Sequence, residues 1–117
     1  MPVFLRSLQA ERSLFDSKGR WLTFRAKGLK GKRVYASHLI SLSRGRLIVA
    51  RNRLIAIAGG RKIIDLPRDD PLFKNLAFDK SNSKRYTISL DLSQFPGELV
   101  GQISLSYHID PSTPGLP

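Results

Sequence analysis

The sequence predicts an all-β domain, a single antiparallel sandwich or barrel of about seven to nine short strands. Its apolar runs are four to six residues long and rich in Ile, Val and Leu, which suit a pleated sheet better than a helix. Turn signals made of glycine, proline and asparagine separate these runs. No long helical pattern is present, and a length of 117 residues suits one domain.

The first third of the chain predicts two strands joined by a basic loop. Residues 1–15 fit either a helical face or an edge strand, and we favour a strand followed by a turn near 10–13. A turn at 16–19 precedes a strand over Arg20 to Ala26. The glycine-containing run Lys27 to Arg33 predicts a mobile hairpin loop, and Val34 to Leu42 predicts the second strand.

The central stretch Arg44 to Pro67 predicts three more strands after a turn at 43–45. These strands are Leu47 to Ala50, Leu54 to Ala58 and Lys62 to Leu66, with short Arg-Asn-Arg and Gly-Gly turns between them. The first two are apolar at consecutive positions, so both of their faces should be covered.

The last third predicts a turn at 68–71, a short helical turn within 71–78, and two strands with regular alternation. Strands at 85–92 and up to Ile109 alternate apolar and polar residues, which is typical of an antiparallel pair with one solvated face. The run Val100 to Ile109 is expected at an exposed edge, where dimerisation by strand pairing is possible. Residues 1–110 should form the domain, and the proline-rich residues 111–117 a disordered tail.

The charge of the chain is large and unevenly distributed. Lys and Arg number 20 against 9 Asp and Glu, a formal charge of +11. The first 62 residues carry +13 and the remainder −2. Positive charges in such excess repel one another, so the charge predicts an anionic partner, most often nucleic acid. Improved solubility alone is an alternative explanation.

An up-and-down arrangement of the strands would collect the cations in two poles. The upper pole, together with two nearby aromatic residues for base stacking, is predicted to bind the anion and contains Lys27, Lys30, Lys32, Arg33, Arg51, Arg53, Arg68, Trp21 and Tyr35. The secondary, lower pole contains Arg44, Arg46, Arg61 and Lys62. For Trp21, burial in the core is the alternative to base stacking.

Signatures of catalysis and cofactor binding are missing. The chain has no Cys, and its two histidines, His38 and His108, lack neighbouring ligands at metal-binding spacing. The carboxylates of Asp65, Asp69 and Asp70 form a small acidic cluster that could hold Mg²⁺ for phosphodiester cleavage, but Asp69 and Asp70 lie between two prolines, which is an ordinary turn composition. We therefore expect no enzyme, metal or cofactor, and the absence of a long apolar run leads us to expect a cytoplasmic location.

Two segments resemble those of known ligand-binding families. Residues 91–97, Asp-Leu-Ser-Gln-Phe-Pro-Gly, are similar to the Asp-x-Ser-x-x-Gly signature of PilZ domains, with one more residue before the glycine. This resemblance implies a small β-barrel that binds cyclic di-GMP. The basic Lys27 to Arg33 hairpin resembles the phosphoinositide loop of pleckstrin-homology domains, which implies a patch that binds anionic lipid.

The sequence thus predicts a non-enzymatic, basic β domain that binds RNA or DNA through the phosphate backbone. The alternative from another functional class is a structural or assembly protein that docks on an acidic protein complex or an anionic membrane. Cyclic dinucleotide binding is a further alternative. Oligomeric state stays open.

Overall fold

A computed structural model describes residues 13–17, 19–31 and 35–117, and in it the chain folds as one curled antiparallel sheet. The predicted all-β class is confirmed. The described strands are β1 Ser13–Asp16, β2 Arg20–Lys30, β3 Tyr35–Ala50, β4 Arg53–Ala58, β5 Arg61–Pro67, β6 Leu76–Asp79, β7 Tyr86–Asp91 and β8 Val100–Tyr107. Two 3-10 turns, Pro71–Asn75 and Leu92–Gln94, complete the described secondary structure. The prediction for residues 1–12 lies outside the described residues.

The strands are ordered β5-β4-β3-β2-β8-β7-β6, and β1 pairs with the end of β3. The sheet curls into a half-barrel whose inner face holds the main core. Neighbours along most of this order are also consecutive in the chain, and the exception is β8, which lies between β2 and β7. The prediction that β8 forms an exposed edge is therefore wrong, because both of its edges are paired.

Strand β3 is one continuous strand of sixteen residues, so the predicted turn at 43–45 is wrong. Gly45 is buried inside this strand, where an added Cβ would lie 2.8 Å from the Ile57 carbonyl oxygen and 2.8 Å from Leu22 Cδ2. The glycine thus permits close packing between strands, whereas the sequence pattern suggested a turn. The consequence is that β4 and β5 run in directions opposite to those predicted.

The first four residues of the predicted Lys27 to Arg33 loop are strand, because β2 continues through Lys30. Gly28, with φ of 63°, provides the irregularity at which the register between β2 and β8 shifts. Residues 32–34 lie outside the described residues. A long pair of strands results, formed by 20–30 of β2 and 35–44 of β3, with β8 paired along the other edge of β2, and we call residues 20–30 and 35–44 the hairpin arm.

Burial confirms that the second half of β3 and most of β4 are covered on both faces. Leu47, Val49 and Leu54 are fully buried in the main core, while Ile48 and Ile55 form a smaller cluster on the other face. Strand β8 is joined to this region by Tyr107, whose hydroxyl donates to the carbonyl oxygens of Arg46 (3.2 Å) and Ile57 (3.1 Å).

The C-terminal residues differ from the predicted disordered tail. Leu116 is 8% exposed and belongs to the main core, and Pro111 is also buried. The Tyr86 hydroxyl donates to the Pro117 carbonyl oxygen, and the Lys80 ammonium group donates to that of Leu116. Proline content suggested disorder, but one apolar residue near the end is sufficient to anchor the segment on the sheet.

Candidate nucleic-acid interface on the hairpin arm

The outer face of the hairpin arm, opposite the core, combines cations with an exposed aromatic ring. In the antiparallel register Trp21 is opposite Arg44, Arg25 is opposite Ile40 and Lys27 is opposite His38. Directly opposed residues share a face of the sheet, as do alternate residues of one strand. Leu22 and Ala26 point to the other face and are buried in the core. We call the set Trp21, Arg25, Lys27 and Arg44 the arm site.

Trp21 lies at the lower end of the arm site and keeps 46% of its surface exposed. Arg44 places its guanidinium carbon 4.7 Å from the Trp21 ring centroid, a cation–π contact, and donates to the Gly19 carbonyl oxygen at 3.2 Å. The ring is therefore held in position while still exposed to solvent. This excludes the alternative in which Trp21 is a core residue.

Arg25 and Lys27 border a groove of about 540 Å³ on the same face. Arg25 is opposite Ser104 of β8, and Lys27 is opposite Gln102, so hydroxyl and amide groups lie beside the two cations. Both cations are exposed, and neither forms an ion pair with another residue in the described ranges. Asp91 carries the one carboxylate among the described residues that line this groove.

The predicted upper pole is divided by the structure. Lys27, Lys30 and Tyr35 lie toward the tip of the hairpin arm, whereas Arg51, Arg53 and Arg68 lie at the opposite end of β3. The separation follows from the continuity of β3, which carries the chain past the expected turn. Tyr35 is 78% exposed. Lys32 and Arg33 lie outside the described residues.

Several of the predicted cations are neutralised locally. Arg46 of the lower pole forms a two-bond ion pair with Asp16, at 2.9 and 2.6 Å. Arg53 and Lys62, from different poles, both donate to the carboxylate of Asp65. Burial would raise the pKa of Asp65, but the hydrogen bonds from Lys62 and Arg53 outweigh it and the pKa is lowered. These three cations stabilise the sheet.

The remaining predicted cations have separate positions. Arg61 is exposed beside the Gly59-Gly60 turn, whose Gly59 amide donates to the Arg44 carbonyl oxygen. Arg68 is half-buried, and its amide donates to the Asn52 carbonyl oxygen. Arg44 alone of the lower pole joins the arm site. Arg25 was absent from both predicted poles, although its alternation with Trp21 along β2 already indicated a shared face.

The two histidines lie in different environments. His38 is exposed on the outer face opposite Lys27. His108 is half-buried, and its Nε2 lies 3.0 Å from the Thr23 hydroxyl. Desolvation, with a smaller contribution from the charge of Arg85, lowers the pKa of His108.

The segment that resembles the PilZ signature forms a local capping structure. The Asp91 carboxylate accepts the Ser93 hydroxyl at 2.7 Å and the Ser93 amide at 3.0 Å, and it caps the 3-10 turn Leu92–Gln94. These hydrogen bonds lower the pKa of Asp91. The aspartate and serine therefore bond to each other, beside the groove that Arg25 and Lys27 border.

Comparison with known proteins provides no assignment. No family model, curated protein or solved structure matches the chain. Within the described ranges, no group of three or more His, Cys, Asp or Glu residues is placed to hold a metal ion. The described residues also include no helix with the length and apolar content needed to cross a membrane.

Proposed function

We propose that this protein is a non-enzymatic β domain that binds RNA or DNA through the phosphate backbone, with the arm site as its contact surface. The observation that supports this proposal is the position of Trp21, exposed and stacked by Arg44 on the same face as Arg25 and Lys27. Cations attract the phosphates, and an exposed ring stacks on any base. Binding with little sequence preference is the expected result.

The size of the arm site fits a short single strand. Trp21 and Lys27 are six residues apart on β2, which corresponds to roughly 20 Å, or about four to six nucleotides. Lys30, exposed near the tip of the arm, extends the cationic row. The Ser and Gln side chains of β8 supply hydrogen-bonding groups to sugars or phosphates beside this row.

The first experiment measures binding of the nuclease-treated protein to a fluorescent single-stranded oligonucleotide over a range of salt concentrations. Four phosphate contacts, from Arg25, Lys27, Lys30 and Arg44, give an expected slope of log K against log salt of about −3. The double variant R25Q/K27Q should reduce the magnitude of the slope by about 1 to 1.5 and weaken binding at low salt.

The control variant K74Q/K84Q removes the same charge from two exposed lysines that lie outside the arm site. It should lower affinity far less than R25Q/K27Q. Equal losses in the two variants would show that net charge alone attracts the nucleic acid, and would reject the arm site.

Base stacking on Trp21 is tested separately. Trp21→Ala should weaken binding about 5- to 150-fold, whereas Trp21→Phe, which keeps an aromatic face, should retain most of the affinity. Because the chain contains one Trp, quenching of its fluorescence reports directly on contact with the nucleic acid. Strong binding without any change in this fluorescence would contradict the stacking role.

The second candidate function is docking on an anionic membrane, and one observation favours it. Ile40 and Leu42 are 57% and 62% exposed on the same outer face as Arg25 and Arg44. Apolar side chains beside cations are the composition of surfaces that insert between anionic lipid headgroups. Sedimentation with phosphatidylserine vesicles that persists at high salt, together with no oligonucleotide binding, would favour this function over the first.

A further inference from the structure

The outer edge of the hairpin arm is open for pairing. β3 pairs with β2 over residues 35–45 and with β4 over 45–49, so residues 36–43 have no strand on their second edge among the described residues. Every residue from Ser37 to Leu42 is exposed, and Leu39, Ile40 and Leu42 are large apolar side chains. Long, apolar, unprotected edges of this kind pair with other strands.

The backbone geometry shows which residues present their hydrogen-bonding groups at this edge. The Arg44 carbonyl oxygen accepts from the Gly59 amide, on the β4 side, while the Leu47 carbonyl oxygen accepts from the Ser17 amide, on the β1 side. Alternate residues of a strand point to the same edge in an antiparallel sheet. Ala36, His38, Ile40 and Leu42 therefore direct their amide and carbonyl groups toward the open edge.

We propose that two copies of this chain associate by antiparallel pairing of this edge with itself. In one register, these four residues of each copy form hydrogen-bonded pairs across the interface. Ala36 lies opposite Leu42 of the other copy, and His38 lies opposite Ile40 of the other copy. Its twofold axis passes at Leu39, which meets Leu39 of the other copy as a close, non-hydrogen-bonded pair. The proposal stands independently of nucleic-acid binding.

The lack of charged residues along the open edge of β3 favours a second copy of this chain as the partner that pairs there. The chain carries +11, yet the edge from Tyr35 to Ser43 contains no Lys, Arg, Asp or Glu, the residues that usually protect an edge. An acidic partner would be attracted to the cations of β2, while a second copy can approach along this uncharged stretch. Across the interface, Arg25 of one copy lies about 14 Å from Lys27 of the other copy, which is beyond the Debye length at physiological salt.

Two such copies form one continuous sheet with their outer faces on the same side, because the twofold axis is perpendicular to the sheet. Their two arm sites then lie side by side. The exposed Leu39 side chains pack against each other on the inner face, and Ile40 and Leu42 become partly covered on the outer face.

The test uses the absence of cysteine from the chain. In the proposed register, the Cα atoms of the two Leu39 residues are about 4.5 Å apart, within the range that a disulfide spans. Leu39→Cys should therefore form a covalent dimer on mild oxidation. The matched control Ser41→Cys lies on the same strand, but its two copies would be about 13 Å apart and should not crosslink.

Solution mass provides the second measurement. Light scattering on the nuclease-treated full chain, at salt high enough to release nucleic acid, should give twice the 13.1 kDa monomer mass as concentration rises. Ile40→Pro should abolish the dimer and keep the monomer fold, since the lost amide points to the open edge and Pro is tolerated there. A monomer at all concentrations, a dimeric Ile40→Pro variant, or stronger crosslinking of Ser41→Cys than of Leu39→Cys would overturn the proposal.

Discussion

The two halves of β3 belong to one strand but have opposite environments. From Leu47 to Ala50 each residue is buried, whereas from Ser37 to Leu42 each residue is exposed. The buried half lies between β1 and β4, and Arg46, which precedes it, is held in an ion pair with Asp16. The exposed half belongs to an arm whose cations Arg25 and Lys27 have no ion-pair partner in the described ranges.

This difference separates stability from binding within the molecule. The inner face of the sheet supplies the core, to which Leu22 and Ala26 of the hairpin arm contribute, while the outer face of the arm presents side chains that are not part of that core. Apolar and cationic residues that stay exposed on a well-paired strand are a feature of interaction surfaces. Substitutions in the buried half should therefore lower the free energy of unfolding. Substitutions of exposed residues in the arm should change it little and should instead change binding.

The largest expected effect compares two leucines of the same strand. Leu47→Ala, at a fully buried position, should lower the free energy of unfolding by about 3 kcal/mol because it leaves a cavity in the core. Leu42→Ala, at a position 62% exposed, should change it by less than about 0.5 kcal/mol. Urea denaturation of both variants measures the difference, and similar losses would show that the arm is part of the core.

A pair of tyrosines gives the next largest effect. Tyr107→Phe should lower the free energy of unfolding by about 1–2 kcal/mol, because the lost hydroxyl leaves the Arg46 and Ile57 carbonyl oxygens without this donor. Tyr35→Phe, on the exposed arm, should leave the free energy of unfolding unchanged. Thermal unfolding of both variants tests this, and an unaffected Tyr107→Phe would mean that the hydroxyl does not join β8 to β3 and β4.

Removal of a charged side chain should lower the free energy of unfolding more beside the buried half of β3 than in the arm. Asp16→Asn removes the carboxylate that Arg46 holds with two bonds, and should cost about 1 kcal/mol because the pair is partly exposed. Arg25→Gln removes a cation that forms no ion pair within the described residues, and should lower the free energy of unfolding by less than about 0.5 kcal/mol. A larger loss of stability from Arg25→Gln would identify Arg25 as structural and weaken its assignment to the arm site.

The sequence was sufficient for features that depend on nearby residues. Consecutive apolar residues at 47–50 and 54–58 predicted strands covered on both faces, and the regular alternation at 85–92 and up to Ile109 predicted β7 and β8. The polar face expected to be solvated is largely covered, since the polar residues of β7 are half-buried and Ser106 of β8 is buried. Both patterns can be identified from the sequence because the order of apolar and polar residues along a strand follows which of its faces are buried.

Long-range contacts were the part that the sequence did not reveal. Gly45 has the same local pattern whether it turns the chain or lets Leu22 and the Ile57 carbonyl oxygen approach β3, and the structure shows the second use. Likewise, the alternation in β8 does not indicate that β2 occupies its other edge. The predicted poles depended on that turn, so Arg51, Arg53 and Arg68 were grouped with Lys27 although they lie at opposite ends of β3.

The smallest expected effect is a pH dependence at the base of the arm, where His108 contacts Thr23. The folded-state pKa of His108 is below the usual 6.5, so near neutral pH and below the unfolded chain binds the proton more readily. Stability should therefore fall as pH is lowered through 6.5 toward the folded-state pKa, and His108 should contribute no pH dependence well above 6.5. Urea denaturation at pH 8 and pH 5 should show a smaller difference in His108→Asn than in the parent chain. An identical difference would mean that burial beside the arm does not disfavour the charged imidazole, and that the arm is open to water down to its base.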